Sequence, residues 1–379
     1  MSGADLGLVG LDAGTALVGP SSIHIDLTNA CNTNCVTCWD HSPHLLSPQP
    51  AAWKRQQARA AEVAALLDDV ASLGALRAVV LSGMGDPFVH PEVYEVIAAV
   101  KARGLHLTII TNLIPADPAR VLALEVDQLL IGIHAASEAA YRAFHPSFRS
   151  DEWARLHAAL ARFQAAGRRY KHVQVICALN AHELPEMVEL GARYGAERIN
   201  FKLAGLKHGT EAVRISEEQR DALLCELVPE AWARAERLGV RTNLEVFAAQ
   251  LAAGGAATAP IAEVGCFMGY VYSRVLVDGT VLYCCNTDVV VGSLREARFS
   301  ALWRGPAWEA LRARLRRGDY FASCDQCGKL NQNVKLAHRF ERRFGRERLL
   351  EVTGRGAADR ATGSRSRPLP QAISPASRA

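Results

Sequence analysis

The spacing of hydrophobic residues alternates between two patterns from residue 22 to residue 206. Short runs rich in Val, Ile, Leu and Phe alternate with segments in which apolar residues recur every three or four positions, as in residues 66–73. Gly74, Gly104 and Gly195 follow three of these segments, which is typical of the left-handed residue that ends a helix. The short runs predict six strands: Ile23–Leu27, Ala78–Leu81, Leu107–Ile110, Gln128–Ile133, Val173–Ala178 and Arg198–Leu203.

Six βα units in succession predict parallel strands joined by right-handed crossovers. Such a sheet is either open and doubly wound or curved into a barrel. After it, residues 215–239 predict one or two helices, and the Ala/Gly stretch 251–260 predicts a linker. Asp278-Gly279 lies between two β-rich runs, 271–277 and 281–283, and predicts a hairpin.

Composition narrows the class of protein. The 379 residues carry a formal net charge of +4, which does not favour a nucleic-acid partner. No apolar run reaches the ~18 residues of a membrane span, and residues 1–20 lack the pattern of a signal peptide, so we expect a cytoplasmic protein without membrane contact. In that reducing compartment the ten cysteines favour metal binding over disulfides.

A first group of cysteines, Cys31, Cys35 and Cys38, directly follows the first predicted strand with Cys-x3-Cys-x2-Cys spacing. Three thiolates can hold three corners of a 4Fe-4S cluster and leave the fourth iron open to a substrate or cosubstrate. The alternative is a zinc loop whose remaining ligand lies elsewhere, although zinc thiolates usually come in Cys-x2-Cys pairs.

This cysteine loop resembles that of the radical S-adenosylmethionine (SAM) superfamily. The resemblance implies a partial (β/α)6 barrel with its site at the carboxyl ends of the strands. It also implies that SAM binds the open iron and is cleaved reductively to a 5′-deoxyadenosyl radical. An electron donor such as flavodoxin or ferredoxin would supply the electron.

Further segments resemble motifs that bind SAM in this family. Gly83, Met84, Gly85 and Asp86, before Pro87, are similar to the family's Gly-x-Gly-Glu-Pro turn, with Asp in place of Glu. Glycines there allow a close approach of backbone and ligand.

Two more positions complete the expected SAM site. Asn112 matches the family's Thr-Asn-Gly, with Leu113 in the position of glycine. Trp39 is expected to supply the aromatic surface that is missing at Thr37.

Strand alternation adds two candidates for catalysis. His134 and Lys202 fall on the faces of predicted strands four and six that should point into the barrel. His134 is a candidate substrate contact or base, with a structural role as the alternative. A lysine inside a barrel needs a partner, so Lys202 is a candidate to hold the SAM carboxylate or an anionic or hydroxylated substrate, or to take or steer a proton.

A second group of cysteines surrounds the predicted hairpin. It resembles the auxiliary-cluster domains called SPASM and twitch, which implies a second 4Fe-4S cluster, with a structural zinc ribbon as the alternative. Cys285 adjoins one member and competes with it, although the Gly-x4-Cys spacing selects Cys284. The expected ligands are Cys266, Cys284, Cys324 and Cys327.

The resemblance divides the chain into five expected segments. They are an N-terminal extension at 1–20, the partial barrel at 21–208, a helical connection and linker at 209–260, a small α+β auxiliary-cluster domain at 261–338, and a basic, largely disordered tail at 339–379.

Three functions fit these observations. The first is a radical SAM oxidoreductase that dehydrogenates a polyol or amino-sugar-like small molecule in natural-product biosynthesis. The second is a maturase that modifies a ribosomally made peptide; because only about twenty residues precede the first strand, the small molecule is favoured. The third, from another class, is a non-catalytic zinc or iron–sulfur regulator.

Overall fold

The computed structural model describes residues 3–255 and 259–355. All six predicted strands are present, each within two residues of its predicted ends. Both strands of the predicted hairpin are also present, and a further strand follows them. The strands are β1 Ser22–Asp26, β2 Ala78–Ser82, β3 His106–Thr111, β4 Gln128–Gly132, β5 Lys171–Ile176, β6 Arg198–Leu203, β7 Tyr272–Val275, β8 Thr280–Leu282 and β9 Val290–Ser293.

The strands form one sheet in the order β6-β5-β4-β3-β2-β1-β7-β8-β9. Strands β1 to β6 lie side by side in chain order and are parallel, which excludes the doubly wound order, in which the strand sequence reverses. Within the described residues β1 pairs with β2 and β7 but not with β6, so the barrel is open on one side. The predicted α/β partial barrel is confirmed.

Helices cover the outer face of the sheet. The predicted helical segment 215–239 forms two α-helices joined by a π-helical turn, Leu223–Leu227. Short 3-10 turns lie at Pro87–Val89, Ala181–Glu183, Thr210–Val213, Ile261–Glu263 and Ala322–Gln326. The α-helices are α1 Gly3–Ala13, α2 Ala51–Lys54, α3 Ala60–Ala71, α4 Val93–Ala102, α5 Pro118–Ala123, α6 Glu138–Phe144, α7 Glu152–Ala165, α8 Leu184–Arg193, α9 Glu217–Ala222, α10 Val228–Arg237, α11 Leu244–Ala252, α12 Met268–Val271, α13 Phe299–Trp303, α14 Pro306–Arg316, α15 Leu330–Phe344 and α16 Arg346–Val352.

Alternation along each strand separates the core from the interior of the barrel. Ile23 and Ile25 of β1, like Ile199 and Phe201 of β6, are fully or almost fully buried beneath the outer helices. Burial of each such side chain contributes roughly 1.5–3 kcal/mol, which fixes the register of the strands. The intervening residues, such as His24 and Lys202, therefore face the concave interior.

Strand β7 joins the carboxyl-terminal part of the chain to the barrel. It pairs in parallel with β1, from Ser22 opposite Tyr272 to Ile25 opposite Val275. β8 and β9 continue the sheet as antiparallel strands. One hydrophobic core runs through both parts, from Leu8 in α1 to Phe340 in α15.

The predicted start of a disordered tail at residue 339 is wrong. Helix α15 runs through this position, and its apolar residues Val334, Ala337 and Phe340 recur at helical spacing and are buried. The arginines of this helix, Arg339, Arg342 and Arg343, obscure that spacing in the sequence, and Arg339 forms an ion pair with Asp5 of α1. Residues 356–379 of the expected tail, and 256–258 of the expected linker, lie outside the described residues.

None of the helices within residues 3–255 and 259–355 is long and apolar enough to cross a bilayer.

Candidate active site

The first cysteine group occupies the loop that leaves the carboxyl end of β1. Cys31, Cys35 and Cys38 are all partly exposed free thiols. The hydroxyl oxygen of Thr33 lies 3.5 Å from the Sγ atoms of both Cys31 and Cys35, so these sulfurs line the same side of the loop. Burial raises the pKa of Cys31 to about 11, and iron must therefore displace a proton to bind there.

Hydrogen bonds hold this loop against the carboxyl end of helix α6 and the residues that follow it. The Val36 amide donates a hydrogen bond to the Phe144 carbonyl at 3.0 Å. Asn34 and Ser147 form two more bonds: the Ser147 amide donates to the Asn34 side chain at 2.6 Å, and the Asn34 amide donates to the Ser147 hydroxyl at 3.2 Å. These bonds fix the loop, and with it the position of its thiols.

Asn112 contacts the cysteine loop directly. Its side-chain Nδ2 donates to Asn32 Oδ1 at 2.9 Å, and Asn32 Nδ2 donates to Asn112 Oδ1 at 3.4 Å. Leu113, which stands where the family has glycine, adopts a left-handed φ of 71° and is buried. The turn therefore keeps the conformation that glycine would favour, and Asn112 links β3 to the loop.

The glycine-containing turn after β2 packs tightly against the same loop. A Cβ atom at Gly85 would lie 2.0 Å from the Ala30 carbonyl oxygen, so only glycine fits at this position. Gly83 has a φ of 147°, and a Cβ there would lie 3.1 Å from the Asp26 side chain. The Asp86 amide donates to the Ala30 carbonyl at 3.0 Å, which completes the contact between turn and loop.

The carboxylate of Asp86 bonds to the protein itself. It accepts hydrogen bonds from the Thr111 hydroxyl, from the Asn112 amide at 2.7 Å and from the Phe88 amide at 2.9 Å. Burial raises the pKa of Asp86, and this effect outweighs that of the hydrogen bonds, which lower it. The predicted contact of the Asp86 side chain with SAM is therefore wrong, because the carboxylate has a structural role. Only the backbone of the turn is left to contact a ligand.

Trp39 connects the cysteine loop to the segment that follows β6. Its indole Nε1 donates to the Gly205 carbonyl at 2.6 Å, and the ammonium of Lys207 lies 3.9 Å from the ring centroid. The side chain is 45% exposed, so one surface of the indole stays accessible. A contact between that surface and adenine is still a prediction.

His134 faces the interior, as predicted, but its Nδ1 is already bonded. Nδ1 accepts a hydrogen bond from the Val175 amide at 3.0 Å, and its ring lies 4.7 Å from that of Phe144. Burial, then the charges of His145 and Lys202, hold the pKa of His134 well below its usual value. The neutral ring carries its proton on Nε2, which can donate to a ligand but cannot accept a proton, so the predicted role as a base is wrong in this geometry.

Lys202 projects from β6 into the open side of the barrel. Its neighbours in sequence, Phe201 and Leu203, lie on the other face, and Val175 of β5 lies opposite it in register. The side chain is accessible to solvent and yet surrounded by protein atoms, and this desolvation lowers its pKa. Lys202 is thus positioned to meet a ligand in the interior.

Five further interior residues were not predicted as site residues. Arg274 of β7 donates two hydrogen bonds to Asp26 of β1, and Tyr272 Oη lies 3.0 Å from His24 Nδ1. Lys329 places its ammonium 4.0 Å from the Tyr272 ring centroid. The alternation of apolar and polar residues in Ile23-His24-Ile25-Asp26 could have placed His24 and Asp26 on the inner face of β1. Tyr272 and Arg274 could not be placed in the interior from sequence, because their position depends on the pairing of β7 with β1.

The second cysteine group lies beside this charged wall. Asn333 donates to Cys327 Sγ at 3.8 Å, and burial raises the pKa of Cys327 to about 11. A Cβ at Gly328, the residue after Cys327, would lie 3.1 Å from the Sγ of Cys285. Cys285 is therefore kept as the alternative to Cys284 in the expected ligand set.

Both cysteine groups suit iron–sulfur clusters by the chemistry of their donors. Each consists of thiols, the ligands that iron–sulfur clusters prefer. Among the residues that the structure describes, no three Cys, His, Asp or Glu side chains are arranged to hold a single metal ion.

Comparison with known proteins gives two family matches. A sequence model of the radical SAM superfamily matches residues 25–191, and a model of the SPASM iron–sulfur cluster-binding domain matches residues 266–328. The chain is 25% identical over 299 residues to the AdoMet-dependent heme synthase of Methanosarcina barkeri, covering 75% of this chain and 82% of that protein. It is 26% identical over 183 residues to the PqqA peptide cyclase of Xanthomonas campestris, covering 48% and 46% respectively, so it spans less than half of that relative.

Solved structures show the same fold. Streptococcus suis SuiB bound to S-adenosylmethionine superposes with a TM-score of 0.61 at 15% identity, covering 84% of this chain and 73% of SuiB. Native anSMEcpe with bound AdoMet gives a TM-score of 0.56 at 13% identity, covering 88% of this chain and 99% of anSMEcpe.

Proposed function

Because the chain belongs to the radical SAM superfamily and carries a SPASM domain, we propose that it catalyses a two-electron oxidation of a hydroxylated small molecule. When bound, SAM and the cluster of the first cysteine group would supply the radical that abstracts a substrate hydrogen. The hydroxyl proton would then pass to solvent, and the second cluster would accept the remaining electron. The enzymatic character of the family argues against the non-catalytic regulator.

One observation carries this proposal: the pairing of β7 with β1 brings the second cysteine group next to the barrel interior. Tyr272 and Arg274 of β7 line that interior, and Lys329, two residues after Cys327, lies against Tyr272. An electron acceptor held by these thiols would therefore adjoin the substrate. A purely structural cluster would not need to lie there.

The interior residues suit a substrate with oxygen groups. Nε2–H of His134 can donate to a substrate hydroxyl, because the bond from Val175 fixes the tautomer. Lys202 offers an ammonium to a substrate oxygen. The carboxylate of Asp26 is already paired with Arg274, so it offers little to an amino group. Of the two small-molecule classes that the sequence suggested, the polyol fits this interior better than the amino sugar.

The test compares cleavage of SAM with oxidation of substrate in Cys324→Ala. We expect this variant to form 5′-deoxyadenosine while it loses oxidised product, because only the electron acceptor is damaged. The matched control is Cys225→Ala, since Cys225 is exposed and lies outside both cysteine groups. If Cys324→Ala still oxidises substrate at the normal ratio, the second cluster is structural and the proposed oxidation is wrong.

A second candidate function, modification of a peptide, is favoured by a cleft of about 900 Å³. The cleft lies between α3 and the β7–β8 turn and reaches Asp26 at the carboxyl end of β1; Gln57, Asp278 and Arg298 also line it. Such a cleft offers an extended peptide a path to the interior. The relatives include a peptide cyclase, and SuiB has been solved bound to precursor peptide SuiA.

The two functions differ in the size of the molecule that stimulates SAM cleavage. Extract of the source organism is dialysed, and the retained and diffusible fractions are each added to the reconstituted enzyme. Stimulation by the diffusible fraction that survives protease treatment supports the small molecule. Stimulation by the retained fraction that protease abolishes supports the peptide.

A further inference from the structure

His134 has a strained backbone conformation just after the carboxyl end of β4. Its φ of 65° lies in the left-handed region, which residues other than glycine rarely adopt. A Cβ atom at Gly132 would lie 2.8 Å from Nε2 of His134, so the imidazole fills the space that a side chain at position 132 would need. Strain of this kind persists only where surrounding contacts hold it, and it is typical of functional sites.

Asn180, in the loop after β5, supplies such contacts. Its Nδ2 donates to the carbonyl oxygens of His134 and Val175, each at 2.8 Å. Its Oδ1 accepts a hydrogen bond from the Cys177 amide, also at 2.8 Å. The side chain is fully buried, and an amide offers two donors and an acceptor, which a carboxylate or an alkyl group does not. Asn180 therefore joins the ends of β4 and β5 where His134 leaves the sheet.

Val175 extends this arrangement to the imidazole itself. Its amide donates to Nδ1 of His134 at 3.0 Å, while its carbonyl accepts from Asn180. The ring also packs against Phe144, with the two centroids 4.7 Å apart. With Nδ1 occupied as an acceptor, the proton of the neutral ring is on Nε2.

The fixed ring places Nε2 near the expected SAM site. A Cβ atom at Gly132 would lie close to Nε2 of His134 and 3.8 Å from the carbonyl oxygen of Thr111. Nε2 therefore lies at the carboxyl ends of β3 and β4, beside Asn112.

A fixed, neutral donor suits the step that the proposed oxidation requires. After hydrogen abstraction, the substrate carbon carries an unpaired electron and a hydroxyl group. Loss of the hydroxyl proton to solvent leaves negative charge on the oxygen, and transfer of one electron to the second cluster leaves a carbonyl group. A donor that is aimed at this oxygen in advance stabilises the charge without reorienting during the reaction.

We propose that Asn180 is a positioning residue, which holds His134 in its left-handed conformation so that Nε2–H donates to the substrate oxygen as this oxygen loses its proton. The inference rests on the proposed function and specifies the group that is recognised. An oxygen can accept this bond, whereas an ammonium group has no lone pair with which to accept it. His134 neither takes up nor releases a proton in this step.

The experiment measures how fast each histidine reacts with diethyl pyrocarbonate, which requires an imidazole nitrogen with a free lone pair. The full-length, cluster-loaded protein with SAM is treated anaerobically, and modification is quantified at each histidine by mass spectrometry. In the wild-type protein Nδ1 of His134 is bonded and Nε2 carries the proton. We therefore expect His134, although only partly buried, to react several-fold more slowly than the exposed His44.

Asn180→Ala should speed modification of His134 several-fold. The carbonyls of His134 and Val175 lose their common donor, and the ring is then released from the Val175 amide. The matched control is Gln219→Ala, because Gln219 donates to the Ala178 carbonyl of the same loop at 2.9 Å. This control should leave the reactivity of His134 unchanged.

A second variant keeps Asn180 and moves the ring directly. Gly132→Ala introduces a Cβ against Nε2 of His134, so it should also speed modification, and it decides the question if Asn180→Ala does not fold. His172, which is buried on β5, is the internal control and should stay unreactive in every variant.

Substitutions of His134 test the donor. In His134→Gln the side-chain amide offers an N–H in place of Nε2–H, whereas His134→Phe offers none. The probe is the diffusible fraction that stimulates the wild-type enzyme, and carbonyl product is trapped with a hydrazine and compared with 5′-deoxyadenosine. We expect His134→Gln to retain much of this ratio and His134→Phe to lose it.

Three results would overturn the inference: reactivity of His134 that is unchanged in Asn180→Ala and Gly132→Ala, equal acceleration by Gln219→Ala, or equal loss of carbonyl product in His134→Gln and His134→Phe. The last result is expected if His134 acts as a base. Absence of carbonyl product from the wild-type enzyme would instead refute the proposed oxidation. The reaction with diethyl pyrocarbonate needs no turnover, so it still decides whether Asn180 holds His134.

Discussion

Arg274 holds Asp26 through two hydrogen bonds, from Nε to Oδ1 at 2.9 Å and from Nη2 to Oδ2 at 2.7 Å. The pair connects β7 of the iron–sulfur domain to β1 of the barrel, next to the turn that contains Gly83. Asp26 is 1% exposed. Burial raises its pKa, and this effect outweighs that of Arg274, which lowers it. The arginine thus keeps a buried carboxylate in place where the two parts of the molecule meet.

Loss of Arg274 should destabilise the protein strongly. Arg274→Gln leaves the Asp26 carboxylate buried without its ionic partner, and removal of one member of a buried pair costs about 3–5 kcal/mol. Chemical denaturation of the cluster-loaded protein measures this change. Asp26→Asn with Arg274→Gln should recover much of the loss because no charge is left unpaired. Equal destabilisation in the single and double variants would show that the pair does not carry the effect.

Asn112→Ala should loosen the cysteine loop. The variant removes the bonds between the side chains of Asn112 and Asn32, and each is worth about 1 kcal/mol in a typical protein. We expect the catalytic cluster to lose iron faster during anaerobic dialysis against a chelator, while the second cluster is retained. Asn286→Ala, which removes a hydrogen bond to the Ser323 hydroxyl in the other domain, is the control. Unchanged iron loss from the first group would contradict the proposed link.

Gly85→Ala should reduce loading of the first cluster. The sequence alone predicts that this substitution weakens SAM binding and leaves the clusters loaded. In the structure, however, the added Cβ would lie 2.0 Å from the carbonyl oxygen of Ala30, next to Cys31. The loop has to move to relieve this clash, so iron content and SAM affinity should fall together. Gly255→Ala is the matched control, because a Cβ there meets no atom of the described part of the chain within 4 Å. Full iron loading with weakened SAM binding would instead support the effect expected from sequence.

Replacement of Cys31, Cys35 and Cys38 by alanine should halve the iron content and abolish SAM cleavage. The reconstituted wild-type chain should hold about eight irons, four in each cluster. Iron and sulfide analysis and detection of 5′-deoxyadenosine measure the two quantities. Stoichiometric zinc, without absorbance from iron–sulfur charge transfer, would refute the cluster assignment for both groups.

Cluster assembly should become more favourable as the pH rises from about 7 to about 9. Burial raises the pKa of Cys31 to about 11 and that of Cys327 to about 11, so both thiols are protonated at neutral pH. Each proton displaced by iron increases the apparent affinity by up to about tenfold per pH unit. Iron loading at limiting iron, together with the protons released, gives the number displaced. Loading that is independent of pH would show that the thiols ionise before iron binds.

The amino-acid sequence determined the strands and the first cysteine group because these depend on local patterns. The alternation of Ile23, Ile25 and Leu27 marks one buried face, and Cys-x3-Cys-x2-Cys lies within eight residues. The same alternation placed Lys202 on the inner face of β6. The sequence did not reveal that α15 continues past residue 339, because a segment rich in arginine is typical of a solvated tail. In the folded protein Arg339 forms an ion pair with Asp5 of α1.

Only the tertiary structure decided which side chains meet. Asp86 and Asn112 are far apart in sequence, yet the carboxylate of Asp86 accepts the amide of Asn112 and is no longer free for SAM. The tautomer of His134 depends on a backbone donor from the neighbouring strand, which strand alternation does not specify. Lys329 meets the interior because β7 pairs with β1, and this long-range pairing is fixed by packing of the whole core. Such contacts join residues that are distant along the chain, so no local pattern of hydrophobicity or spacing encodes them.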